Sequence, residues 1–145
     1  MSALLRWFGQ PAVVRIARWA IGGVFVLSAL GKIGDVVWFA QQVHNFRIAP
    51  LWAENGIALA LPWVELVAGV ALLIGPRARA GAVVAFACMA VFTLAVAAAW
   101  ARGLDFRCGC FGKAVASTVG ASKFFENLGL TLLAAIASRR AGPAE

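Results

Sequence analysis

The sequence predicts an all-α integral membrane protein, a bundle of four transmembrane helices with a short interfacial helix between the first and second. Three observations predict it. The 145 residues are 63% hydrophobic and 13% charged, with a mean hydropathy of +0.88, whereas soluble domains run nearer half apolar and a quarter charged. The apolar residues gather into four runs of about 17 to 22 residues, the length that crosses a hydrocarbon core of about 30 Å at 1.5 Å per residue. Cations and most of the six Trp lie at or near the ends of those runs. The +7 charge and pI of about 10.7 therefore read as topology signals and lipid-headgroup contacts rather than as a nucleic-acid patch. The length suits one domain.

Residues 1–12 form a short arm with Arg6. The first span, residues 13–33, is interrupted early by Arg15 and Arg18, which snorkel to the near interface. No small-x-small cleavage site follows it, so it reads as a helix that stays rather than a signal peptide. Gly31-Lys32-Ile33-Gly34-Asp35 is its polar stop. In residues 36–54, apolar Phe39, Val43 and Phe46 recur at helical spacing among Gln41, Gln42, His44, Asn45 and Arg47. That is an amphipathic interfacial helix, ended by Pro50. Residues 55–76 carry a single charge, Glu65, and make the second span. A tight basic turn with Arg77 and Arg79 leads to the uncharged third span, residues 80–101. The polar loop 102–121 precedes the shorter fourth span, residues 122–138.

Four spans place both termini on one side, with Arg6, Arg15, Arg18, Arg77, Arg79, Arg139 and Arg140. The other side receives Lys32, Arg47, Arg102, Arg107, Lys113 and Lys123. The tight Arg77/Arg79 turn favours cytoplasmic termini at the inner (plasma) membrane and the polar loop outside.

That loop holds Arg107-Cys108-Gly109-Cys110-Phe111-Gly112-Lys113. Cysteines two apart come within disulfide reach only if the chain bends sharply, and glycine bends at least steric cost. A bridge over one residue is a small, strained ring that removes little loop entropy, so it suits exchange better than stapling. Arg107 and Lys113 favour the nucleophilic thiolate, with Cys110 slightly preferred because it lies nearer Lys113. Oxidising surroundings outside the membrane agree with the orientation. The pair is a redox site in the first reading and a soft-metal site for Cu(I) or Hg(II) in the second.

The stretch Cys108-Gly109-Cys110-Phe111-Gly112 resembles the signature of the MauE family of methylamine-utilisation membrane proteins, within the wider DoxX-like group of four-span proteins. Gly23-Val24-Phe25, Gly31 to Asp35, Leu61 to Gly69 and Ser122 to Asn127 are similar to other family stretches. The resemblance covers nearly the whole chain. It implies disulfide formation or maturation of exported proteins beside a thioredoxin-like partner. Membrane oxidoreductases of the DsbB and vitamin K epoxide reductase type offer an analogy, and through it a quinone as electron acceptor. Those proteins use two cysteine pairs, whereas this chain has three cysteines in all.

Other residues have plainer readings beside functional ones. Cys88 lies about 13 helical residues, or roughly 20 Å, from the loop pair and reads as a small buried hydrophobe. Glu65 in hydrocarbon either exchanges a proton or hydrogen-bonds a neighbouring helix. Lys32, Asp35, His44, Arg47, Glu126 and Asn127 are expected to gather with the loop, mostly as solvated interface. His44, Arg47, Trp63 and Asn127 are the candidates to hold a quinone head group. A third reading is non-catalytic, an assembly factor that holds another membrane protein.

Overall fold

A computed structural model describes residues 1–110 and 116–140. Lys113 lies outside the described residues. The helices are α1 Ser2–Trp7, α2 Pro11–Ile33, α3 Val36–Phe46, α4 Leu51–Ile74, α5 Ala78–Ala101 and α6 Ala121–Ala137. Among them α2, α4 and α5 are long and apolar enough to cross a membrane, while α6 has 17 residues.

Local chemistry sets the boundaries. Pro11 opens α2 at its first turn, where a missing N–H costs nothing. Asp35 caps α3, its carboxylate accepting from Trp38 N at 3.0 Å. This helix stops at Arg47, which takes a left-handed conformation (φ 51°), three residues before the proline expected to end it. Pro50 instead stands immediately before α4, which begins four residues earlier than the apolar run. Its first turn is helical although it carries the acid Glu54.

The packing is apolar outside and partly polar inside. Trp52 is 85% exposed and Ile74 82%, while Ser28, Lys32, Glu65, Thr93 and Asn127 are buried. Lipid as solvent explains both halves of that pattern. Small residues bring the helices together. A Cβ on Gly69 would stand 2.9 Å from Val26 Cγ2 and 3.0 Å from the Gly22 carbonyl, and one on Gly81 would stand 2.8 Å from the Ala68 carbonyl. No side chain larger than hydrogen fits at either contact.

Two sets of hydrogen bonds tie the bundle ends. At one end Arg18 Nε donates to the Ala137 carbonyl at 3.0 Å and Arg79 Nε to the Ser138 carbonyl at 3.4 Å. At the other, the Arg102 guanidinium donates to the carbonyls of Phe46 and Arg47. The polar loop is also anchored here. Strand β1, Arg107–Cys108, pairs antiparallel with β2, Ser117–Thr118, and Val119 N donates to the Phe106 carbonyl at 3.0 Å. Phe106 meets Phe46 edge-to-face at 4.8 Å. The loop is therefore folded onto α3 rather than standing free.

Candidate functional site

The β1 strand delivers Cys108 to the bundle, and Cys110 follows it inward. Their Sγ atoms are 2.6 Å apart, and both are free thiols. Cys108 is 1% exposed and Cys110 5%. A pair expected in an open loop at the outer face is instead packed with Val96, Ala99 and Val119. The apolar residues Leu104 and Phe106 draw this end of the loop onto the hydrophobic cluster.

Gly109 has a different role from the expected sharp bend. Among the described residues Gly103 is the glycine with positive φ, so Gly109 is not required for a left-handed turn. It is required for proximity. A Cβ there would stand 2.9 Å from Gln42 Cγ and 3.0 Å from the Trp38 ring.

Beneath the pair lies a buried polar group. The Ser28 hydroxyl donates to the Cys110 carbonyl and sits 3.4 Å from Glu65 Oε2. Lys32 Nζ donates to both Glu65 oxygens, at 2.6 and 2.8 Å. The ammonium also lies 5.0 Å from the Phe39 ring centroid and 4.9 Å from that of Phe92. This corrects the reading of Lys32 as solvated interface, since it is 0% exposed. Glu65, read as a proton exchanger or a helix-packing acid, proves to be paired. The acid has an ionic partner on α2 in addition to the Ser28 hydroxyl. The signal was available: Lys32 continues the buried stripe of Phe25, Ser28 and Ala29 on α2.

The two thiols are unequal. Cys108 is held below the ordinary thiol range, chiefly because the Cys110 thiol donates to it, with a backbone hydrogen bond, Lys123 and Lys32 adding to the effect against desolvation. Cys110 is pushed well above that range because its proton is committed to Cys108 and its surroundings are dry. The slight preference for Cys110 as the attacking sulfur rested on Lys113, which lies outside the described residues. Two other cations flank the pair. Arg107 is exposed and reaches the Ala116 carbonyl at 3.4 Å, whereas Lys123 is 2% exposed and pairs with Glu126 at 3.2 Å.

Cys110 and Gly109 line an apolar groove of about 420 Å³. Its walls are Phe39, Val43 and Phe46 of α3, Ile57 and Leu61 of α4, and Cys88, Val91 and Phe92 of α5. Cys88 thus shares a groove with Cys110, which the axial estimate of separation did not foresee. That estimate kept the loop at the end of the bundle, and the loop turns inward.

The four head-group candidates stand elsewhere. His44 Nδ1 lies 2.9 Å from Glu54 Oε2, with its ring mostly exposed. Arg47 is exposed and accepts from Arg102 through its carbonyl. Trp63 lines a second groove, of about 480 Å³, with Arg77 and Gly81. Asn127 is 0% exposed, and neither side-chain polar atom has a hydrogen-bond partner among the described residues. None of the four lines the groove at Cys110. Among the described residues no group of three or more His, Cys, Asp or Glu gathers as metal ligands would.

Long apolar helices, a lipid-facing exterior and a polar interior define a multi-pass membrane protein that carries a buried pair of thiols. The chain belongs to the MauE family, whose profile, described as "Methylamine utilisation protein MauE", matches residues 10–139. It is 39% identical over 126 residues to the methylamine utilization protein MauE of Paracoccus denitrificans, covering 86% of this chain and 68% of that one. It is 30% identical over 132 residues to that of Methylorubrum extorquens, covering 90% and 71%. The Paracoccus versutus protein is 31% identical over 126 residues, covering 86% and 68%. No solved structure matches the chain significantly.

Proposed function

We propose that this chain is a membrane thiol–disulfide oxidoreductase that supports disulfide formation in exported proteins, in the methylamine-utilisation setting its relatives' names describe. The observation that carries the proposal is the facing pair, Cys108 and Cys110, with one sulfur acidic and the other holding the proton. Cys110 is the sulfur that reaches the groove, and Lys123 and Lys32 favour the thiolate that Cys108 becomes on leaving. In the oxidised pair, a thiolate of an exported thioredoxin-like partner attacks Cys110 Sγ, the Cys108–Cys110 bond breaks, and Cys108 leaves as thiolate. The partner's second thiolate then displaces Cys110, which takes up a proton. The partner ends oxidised and the pair reduced.

Renewal of the pair removes two electrons and two protons to a lipid-soluble quinone, which becomes the hydroquinone. The groove supports this choice, because its walls are apolar and aromatic and Cys110 is among the residues that line it. In this arrangement α6 is the fourth span, at the short end of the usual range of about 17 to 25 residues, and α3 lies in the interface. The termini are cytoplasmic and the Cys-Gly-Cys loop faces outward.

The test is oxidation of a reduced thioredoxin-like partner by the full chain in membranes. The Cys108→Ser/Cys110→Ser variant is expected to lose it entirely, and wild-type activity in that variant would end the proposal. Equilibrium dialysis with Cu(I) or Hg(II) addresses the soft-metal reading. Tight stoichiometric uptake lost in the double variant, with no titratable disulfide, would replace oxidoreduction by metal carriage. Dispensable cysteines with co-purification lost on helix-face substitution would indicate an assembly factor.

A further inference from the structure

We infer that Lys32 and Glu65 are positioning residues for the thiol pair: their buried ion pair sets the charge around the sulfurs and, through Ser28, fixes the Cys110 backbone. This rests on the reading of the pair as the reactive centre.

The geometry is specific. Ser28 joins the Cys110 carbonyl to the Glu65 side chain, and Glu65 is gripped by both of its oxygens on Lys32. The Lys32 ammonium is backed by Phe39 and Phe92, and those same rings line the groove that Cys110 also lines. One ammonium thus stands behind the aromatic wall, in a dry place where charge acts over longer range than in water. A pair kept only to hold helices together has an apolar substitute of similar volume that is often as stable. The link through Ser28 to the cysteine backbone gives this pair a task such a substitute would not perform.

The groups facing the thiols are few among the described residues. Lys32 with Glu65 approaches from α2 and α4, Cys88 shares the groove from α5, and Lys123 with Glu126 approaches from α6. From α3 come Trp38 and Gln42, which carry no charge. Lys32 acts electrostatically on both sulfurs. Its removal raises the pH at which Cys108 becomes a thiolate. Removal of the Glu65 charge leaves the ammonium uncompensated and lowers that pH.

The experiment is alkylation of the reduced full chain in membranes by iodoacetamide, read at Cys108 by peptide mapping across pH, with Cys88→Ala as background. Lys32→Met is expected to move the midpoint up and to slow alkylation at neutral pH about twofold, the equivalent of about 0.3 pH unit. Glu65→Gln is expected to move it down, and Lys32→Arg to restore the parent profile. Opposite shifts are the mark of charge. Shifts in one direction for both, or none in either, would overturn the proposal, because helix packing alone makes the two losses alike. Should Lys32→Met fail to fold, Glu65→Gln against Lys32→Arg decides it by the same sign. Ser28→Ala is expected to speed alkylation of Cys110 several-fold with the Cys108 midpoint unmoved. Unchanged Cys110 reactivity would remove the clamp from the proposal. Alkylation needs no partner, so loss of this inference is distinct from loss of the oxidoreductase reading, which partner oxidation tests.

Discussion

Gly109 shows how much one hydrogen atom decides. The pair can pack beneath α3 only because nothing stands between the Gly109 backbone and Gln42 or Trp38. Gly109→Ala inserts a carbon 2.9 Å from Gln42 Cγ, an overpacking that costs about 1–3 kcal/mol. A lower Tm together with faster alkylation of Cys110 is the expected result, measured by thermal scan and mass spectrometry. The two thiols should also respond differently to pH. Cys108 is the acidic one, so its alkylation rises as pH climbs through its lowered pKa, below the ordinary thiol value of about 8.5. The stabilisation that comes from its thiolate is present above that ordinary value and is lost as pH falls through the lowered one. Cys110 carries the opposite shift and stays protonated well above the ordinary range. A mapped alkylation series in which Cys110 reacts first would contradict this ordering.

Among the elements, α2 and α4 make the contact on which the site depends. Gly22 meets Gly69 at one level and Ser28 and Lys32 meet Glu65 at another, so the two helices run antiparallel in close contact. Gly69→Leu pushes them apart near Val26 and is expected to cost about 1–3 kcal/mol, with exposure of Lys32 as a consequence. A detergent-solubilised variant with unchanged Tm and unchanged thiol reactivity would show that the contact is dispensable. Helix α3 is the second support, since Trp38 and Gln42 cover Gly109 and Phe46 receives Phe106. Its N-cap, Asp35, is expected to contribute about 1 kcal/mol, the usual loss for a cap replaced by Ala. Urea or thermal unfolding of Asp35→Ala checks that value. The long helices α2, α4 and α5 were legible in the sequence because each apolar run has a length that lipid requires. Their starts were less so, as at Leu51, because Glu54 and Asn55 break the apolar run while the helix continues through them.

For the molecule as a whole, a few polar side chains share an interior that is mostly apolar. Ser28, Lys32, Glu65, Thr93 and Asn127 lie inside, and large apolar side chains lie outside. The cations at the two ends give the orientation its test. In a background lacking native cysteines, Arg107→Cys should react with an impermeant maleimide added to intact cells, whereas Arg77→Cys should react only after the membrane is opened. The reverse pattern would place the thiol pair on the cytoplasmic side. It would also remove the exported partner from the mechanism.

The amino-acid order alone determined the membrane class, the three long apolar helices, and the choice of Cys108 and Cys110 as candidates. Those follow from local quantities: run length, composition, and the spacing of two reactive residues. Only the tertiary structure decided that the pair is buried, that Cys108 is its acidic member, that Cys88 shares the groove, and that Lys32 answers Glu65. Each of these joins residues distant in the chain. A sulfur's acidity and a charge's partner depend on what stands within a few ångströms, and the packing of α2, α3, α4 and the polar loop sets that.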